Sequence, residues 1–171
     1  LMDIVEQYGT PLKFTYLPKI TENIKKAKTW FNVAMAKVDY KGKYHYCYCT
    51  KSSHFSHVLE EVLKNEVHLE TSSGFDINLI QALHEQGLVN KDKFIVCNGF
   101  KLQNYVDNIA AIIKDGFSNV IPVIDNMREI DLLSNAIEGD FKVGIRIAAE
   151  EEPKFPFYTS RLGIGYKDIL P

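Results

Sequence analysis

Two hydrophobic periods alternate along most of the chain. Tyr44 to Cys49 is a short aromatic and cysteine-rich run that predicts a strand. Directly after it, Phe55, Val58, Leu59, Val62 and Leu63 recur at i, i+3, i+4, i+7 and i+8, which is one face of a helix. Val67 to Glu70 predicts a second strand. Ser73 with Asp76 three residues on resembles a capping box, and it opens a helix carrying Ile77, Ile80 and Leu83 that stops near Gly87. The pattern then repeats. Phe94 to Cys97 predicts a strand ended by Asn98-Gly99, and Tyr105, Ile109, Ile112 and Ile113 share one face of a helix closed by Gly116. Val120 to Ile124 predicts a strand, Met127 to Ile137 a helix with Ile130, Leu133 and Ile137 aligned, and Phe141 to Ile147 a further strand.

The strands therefore end near residues 50, 71, 97, 124 and 147, at intervals of 21 to 27 residues. Five apolar strands alternating with amphipathic helices imply a parallel sheet covered by helices, hence an α/β fold. An open doubly wound sheet and a (β/α)8 barrel both fit. The absence of a GxGxxG fingerprint after the first strand favours the barrel, of which ~250 residues would make a complete copy. The region before Tyr44 has a different texture. Tyr8-Gly-Thr-Pro11 reads as a turn, Leu12 to Tyr16 alternates like an edge strand, and Ile20 to Ala36 predicts a helix followed by a charged turn over 38–43. The chain opens Leu1-Met2 and ends at Pro171 without a closing helix or charged tail, as expected of a piece of a longer protein.

Composition narrows the class of function. With 46% hydrophobic residues the chain can build a core, and a net charge of −2 supplies no basic field for nucleic acid or an anionic membrane. Its longest apolar runs fall far short of the ~20 residues that span a bilayer. Cys47, Cys49 and Cys97 cannot all pair, and the first two lie too close in one strand to bridge, which reads as a reducing, cytoplasmic setting.

In parallel α/β proteins the reacting groups gather at the carboxyl ends of strands. That rule selects Lys51, the turn 70–73 with Glu70, then Asn98, Asp125 and Arg146. Lys51 follows an aromatic and sulfur-bearing strand and shares its parity with Cys47 and Cys49. If that parity faces a barrel interior, desolvation at the mouth of the lumen frees the amine for Schiff-base chemistry; otherwise Lys51 simply ends a strand and reaches water. Arg146 lies between Ile145 and Ile147 and needs an anion, either a ligand or an ion pair with a carboxylate such as Glu70. The other motifs read as structural. His54 and His57 lie i, i+3 on a solvated helix face, and Cys47-x-Cys49 is strand packing. Gly163-Ile-Gly165 is too short for a phosphate loop, 150–152 is an acidic loop, and Ser72 and Ser73 are caps. No metal site is expected.

Taken together, these segments resemble the fold-type III pyridoxal-phosphate-dependent decarboxylases, the ornithine/diaminopimelate/arginine group, nearest to the biosynthetic arginine decarboxylases. Tyr8-Gly-Thr-Pro-Leu12 is similar to the family's opening segment, and Tyr48-Cys-Thr-Lys-Ser-Ser53 to the segment in which a lysine ends the first barrel strand. Leu69-Glu-Thr-Ser-Ser73 with Asp76, Ile95-Val-Cys-Asn-Gly-Phe-Lys101, Gly144-Ile-Arg-Ile147 and Ser160-Arg-Leu-Gly-Ile164 follow in family order. Two departures stand out. Ser53 replaces the family's usual Asn, and Arg161-Leu162 replaces its Lys-Phe.

The resemblance implies an alanine-racemase-like (β/α)8 TIM barrel, present as about five βα units over residues 20–171. It also implies an N-terminal segment, 1–19, that packs with a C-terminal β-domain lying outside this chain. It implies pyridoxal 5′-phosphate as cofactor, Lys51 as its catalytic attachment point, and Glu70 and Arg146 as further cofactor-binding residues. The implied reaction is decarboxylation of a basic amino acid, arginine to agmatine for polyamine synthesis, by a homodimer or higher oligomer. The family's phosphate loop and its partner-chain Cys and Asp would lie beyond Pro171, so this segment alone is expected to be inactive. Rival readings are a diaminopimelate or carboxynorspermidine decarboxylase, a non-catalytic cofactor-binding paralogue, and a Schiff-base or phosphate-binding barrel without this cofactor.

Overall fold

The computed structural model describes residues 1–148, 162–165 and 169, and the chain divides into two compact units, 1–44 and 45–171. The first unit holds α1 (Met2–Tyr8) and α2 (Pro18–Lys37). Proline at the start of α2 has no N–H to lose there and a φ already suited to a helix. Phe31 near the end of that helix stacks on Tyr44, with ring centroids 4.1 Å apart. One expectation changes here. Leu12 to Tyr16 forms no strand, because alternation yields a strand only where a neighbour completes the backbone hydrogen bonds. Residues 2–8 are helical; seven residues are too few for a period to declare itself. The first compact unit, 1–44, includes α2. No strand precedes it, and it is not a crossover helix.

The second unit alternates β1 (Cys47–Cys49), α3 (Ser56–Leu63), β2 (His68–Thr71), α4 (Gly74–Glu85), β3 (Ile95–Cys97), α5 (Gln103–Lys114), β4 (Val120–Ile124), α6 (Arg128–Ala136) and β5 (Gly144–Ile145). All neighbours pair in parallel, and their order in the sheet is β1-β2-β3-β4-β5. A doubly wound sheet reverses direction at its switch point. Here every crossover adds the next strand on the same side, which is how a (β/α)8 barrel winds, so the sheet is part of a barrel. β1 and β5 are shorter than the apolar runs that predicted them, because the ladder extends only where adjacent strands overlap.

Burial alternates along the strands and separates the two faces. Leu69, Thr71, Ile95, Cys97, Val120 and Ile124 are buried. Apart from Thr71, they pack in one core with Ile77, Ile80 and Leu83 of α4, Tyr105, Ile109 and Ile112 of α5, and Leu133 of α6. Burying each large aliphatic side chain contributes ~1.5–3 kcal/mol. The opposite, concave face carries Cys47, Cys49, His68, Glu70, Val96, Ile121 and Val123, and the β1–β2 register sets Cys49 beside Glu70 and Cys47 beside His68. Glu70 thus places a carboxylate among sulfur and aliphatic groups on this face.

All three cysteines are free. Burial pushes the Cys97 thiol up to about 12, outweighing its contact with Thr71 and the charge of Lys101. The neutral thiol is favoured in the folded chain, so this contribution holds below the ordinary thiol range and is lost as pH climbs toward about 12. Alkylation near pH 8, followed by peptide mapping, should therefore modify Cys97 at least about tenfold more slowly than half-buried Cys49. Comparable rates would show that the helix-side core opens readily.

A candidate active site at the carboxyl edge of the sheet

The turn that leaves β1 is pinned at both ends. Thr50 is buried and its hydroxyl donates to the Glu70 carbonyl (3.1 Å), while the Tyr48 hydroxyl reaches past the turn to the Ser53 carbonyl (2.9 Å). Between these anchors Thr50–Ser52 forms one turn of 3₁₀ helix, and Lys51 sits in it, exposed. This corrects the expectation that Lys51 continues the strand with the parity of Cys47 and Cys49. β1 ends at Cys49, so Lys51 is presented on the rim beside the end of β2 by the turn itself. Cys47, lower on the same face as Glu70, has its thiol pushed up by burial and then by that carboxylate.

Glu70 is held from the next strand end. The Asn98 side chain donates to Glu70 Oε1 (3.0 Å) and its own oxygen accepts from the Gly99 N–H (2.9 Å). The Tyr105 hydroxyl bonds both the Asn98 carbonyl (3.1 Å) and the Thr71 hydroxyl (2.7 Å), and burial pushes its ionisation far upward. A chain of hydrogen bonds thus runs from the helix-side core to the carboxylate on the concave face. Gly99 is required here. Its φ is +78°, and a Cβ would stand 3.0 Å from the Ser72 carbonyl, so only glycine brings the two strand-end turns this close. Tyr105→Phe leaves two core polar groups short of a partner and should cost ~1–3 kcal/mol in a urea melt. A loss below a few tenths would mean that water replaces the hydroxyl.

The Ser73–Asp76 motif works differently from a capping box. Ser73 is the N-cap of α4 but makes no side-chain cap. Instead the Asp76 carboxylate reaches back, accepting from the Ser72 N–H (2.9 Å) and the Ser73 hydroxyl (3.1 Å), and so closes the turn after β2.

Arg146 lies immediately after β5. Its N–H donates to the Ile124 carbonyl (3.0 Å) and its carbonyl accepts from Ile164 (2.8 Å). Gly163, at φ +94°, makes that second approach possible, since a Cβ would fall 2.8 Å from the Ala148 nitrogen. The guanidinium pairs with Asp125 (3.6 Å), not with Glu70. Glu70 belongs to β2, three strands away, and a spacing of ~4.8 Å per strand puts it out of reach. Asp125 Oδ1 is buried and makes no hydrogen bond.

Two residues of this edge escaped the sequence reading. Lys101 and Glu129, after β3 and in the first turn of α6, are both buried and form an ion pair (3.3 Å). Charged residues in loops and helix starts read as solvated, and nothing in the spacing of these two marks them otherwise.

His54 precedes α3 rather than lying in it, so it shares no helix face with His57, and both are exposed. His57 stacks on Phe55. Among the described residues no group of three or more His, Cys, Asp or Glu could hold a metal. Likewise, no helix among them is long and apolar enough to cross a membrane. The acidic stretch 150–152 and the family-like Ser160-Arg161 lie outside the described residues.

The carboxyl edge thus carries an exposed amine at Lys51 beside a fixed carboxylate at Glu70, and, three strands further along the sheet from Glu70, a guanidinium at Arg146. No family model matches the chain. The chain is similar to biosynthetic arginine decarboxylases. It is 24% identical to biosynthetic arginine decarboxylase 2 of Synechocystis sp., over 77% of this chain and 22% of that protein. Against the biosynthetic arginine decarboxylase of Bacteroides thetaiotaomicron it is 26% identical, over 90% of this chain and 26% of the relative. The crystal structure of the biosynthetic arginine decarboxylase from Campylobacter jejuni superposes with a TM-score of 0.72 at 18% identity, covering 99% of this chain and 28% of that one. That likeness shows the fold. The chain spans about a quarter of the length of the relatives it matches.

Proposed function

Starting from this similarity to biosynthetic arginine decarboxylases, we propose that the chain is the lysine-bearing part of a barrel that decarboxylates arginine with pyridoxal 5′-phosphate. The observation that carries the reading is the pinned turn after β1, which sets the exposed Lys51 beside the end of the strand bearing Glu70. The donor set fits the cofactor. An accessible primary amine suits an aldehyde, a carboxylate suits a ring nitrogen or a cation, and a guanidinium suits an anion. Pyridoxal phosphate, when bound, supplies an electron sink for the electron pair left as carbon dioxide departs.

The chain's own residues then have distinct tasks. Lys51 would hold the cofactor through its amine. Glu70, kept in place by Asn98, fixes charge on the concave face, and Val96, Ile121 and Val123 around it exclude water. Arg146 faces the anionic end. Reprotonation of the substrate carbon requires a proton donor on the same face.

The site so described is a decarboxylase site in a homo-oligomer, and arginine is the substrate because the named relatives act on it. Agmatine release should be measured from the protein that carries this chain, with and without pyridoxal phosphate, against ornithine and diaminopimelate as competing substrates. Cofactor-dependent agmatine formation is expected. Preference for diaminopimelate would replace the substrate assignment, and no amine release with bound cofactor would favour a binding paralogue.

A further inference from the structure

The Lys101–Glu129 pair is unusual in being complete. The Lys101 ammonium donates to the Gly99 carbonyl (2.9 Å), the Val123 carbonyl and Glu129 Oε2 (3.3 Å). The Glu129 carboxylate also accepts from the backbone N–H of Lys101 (2.9 Å) and of Asp125 (2.9 Å), and from the Asn126 side chain (3.0 Å). Every donor of one and both oxygens of the other are engaged, and neither side chain has appreciable contact with solvent.

A buried ion pair of this kind adds little stability over a well-packed apolar pair, so its contribution lies in what it fixes. Here it ties the turn after β3 to the end of β4 and to the turn after β4. The residue held most directly is Asp125. Its backbone N–H is bonded to Glu129, while its Oδ1 is buried without a hydrogen bond and faces Arg146 at 3.6 Å. A buried carboxylate oxygen in that state is costly and persists only where the surrounding frame imposes it.

We propose that Lys101 and Glu129 are positioning residues that hold Asp125 against Arg146 and so present the guanidinium to an anionic ligand at the carboxyl edge. This rests on the reading of that edge as the ligand site, but the geometry between the four side chains is tested without any cofactor. Phenylglyoxal modifies exposed arginines, and Arg128, exposed in the first turn of α6, serves as the internal reference.

The full chain and its Lys101→Met, Glu129→Gln and Asp125→Asn variants should be labelled in parallel and mapped by mass spectrometry. The ratio of Arg146 to Arg128 labelling should rise about threefold or more in both clamp variants, matching Asp125→Asn. An unchanged ratio in a folded clamp variant would overturn the proposal. If neither clamp variant folds, hydrogen exchange on the unsubstituted chain decides. Asp125 should then show amide protection close to that of β4, and exchange at the rate of an open loop would overturn it. Binding of pyridoxal phosphate is scored separately: labelling that shifts in a chain that never binds the cofactor removes the proposed function and leaves the clamp standing.

Discussion

Incubation with pyridoxal 5′-phosphate near pH 8 followed by borohydride reduction should place a phosphopyridoxyl group on Lys51, at least about tenfold above the average of the other lysines. The chain has 17 lysines, most of them exposed, and any of them can condense with an aldehyde in passing. Selectivity therefore has to come from the site. The turn around Lys51 is fixed by Thr50 and Tyr48, so little conformational freedom is lost when its amine is captured. A carboxylate stands on the adjacent strand, on a face that also carries Val96.

Lys51→Arg provides the decisive comparison. It keeps a positive charge but has no amine able to condense, so the adduct at this position disappears. Because Lys51 is exposed, the melting transition should move by less than about 1 kcal/mol equivalent. Adducts spread evenly over the lysines of the unsubstituted chain would sink the assignment of Lys51, and with it the cofactor. An adduct concentrated on a different rim lysine would keep the cofactor and relocate the attachment.

Particular residues show why so much of the fold was readable. Val120 to Ile124 is an uninterrupted apolar run in the middle of the sheet, with β3 and β5 on either side, and its boundaries are those the pattern predicts. Tyr105, Ile109 and Ile112 fall on one helical face because α5 lies against the sheet along its whole length. Between them, such runs locate all five strands, and the lysine, carboxylate and arginine at strand ends follow from a general rule of parallel sheets.

What the pattern could not carry is the pairing of polar groups across loops. Arg146 announces a need for an anion, yet only the strand order reveals that Asp125 is adjacent and Glu70 is not. Lys101 and Glu129 are separated by a helix and a strand, and their burial depends on two turns folding over them. Leu12 to Tyr16 shows the opposite failure. Its alternation is genuine, but a strand also needs a neighbour, and that is information no local window contains.

Replacing Lys101 by methionine should be among the most damaging single changes in the second unit, at ~3–5 kcal/mol, because buried Glu129 is left without its ion-pair partner. Domains of this size are stable by ~5–15 kcal/mol, so about a fifth or more of the total is at stake. The melting temperature should fall by roughly 10–20 °C. Glu129→Gln should cost less. The amide oxygen still accepts one of the backbone N–H groups, and Lys101 retains the Gly99 and Val123 carbonyls.

The double variant separates burial from simple loss of contacts. With no uncompensated charge left, it should be more stable than the sum of the two single losses by ~1–3 kcal/mol. The coupling should also survive salt, since the pair is shielded from the solvent ions that would screen the exposed Lys19–Glu22 bridge. Near-additive losses, or a coupling abolished by salt, would mean that the two side chains are open to water in solution. A strong, salt-insensitive coupling would instead place the charge pair inside the protein and make it the frame on which the turns after β3 and β4 are built.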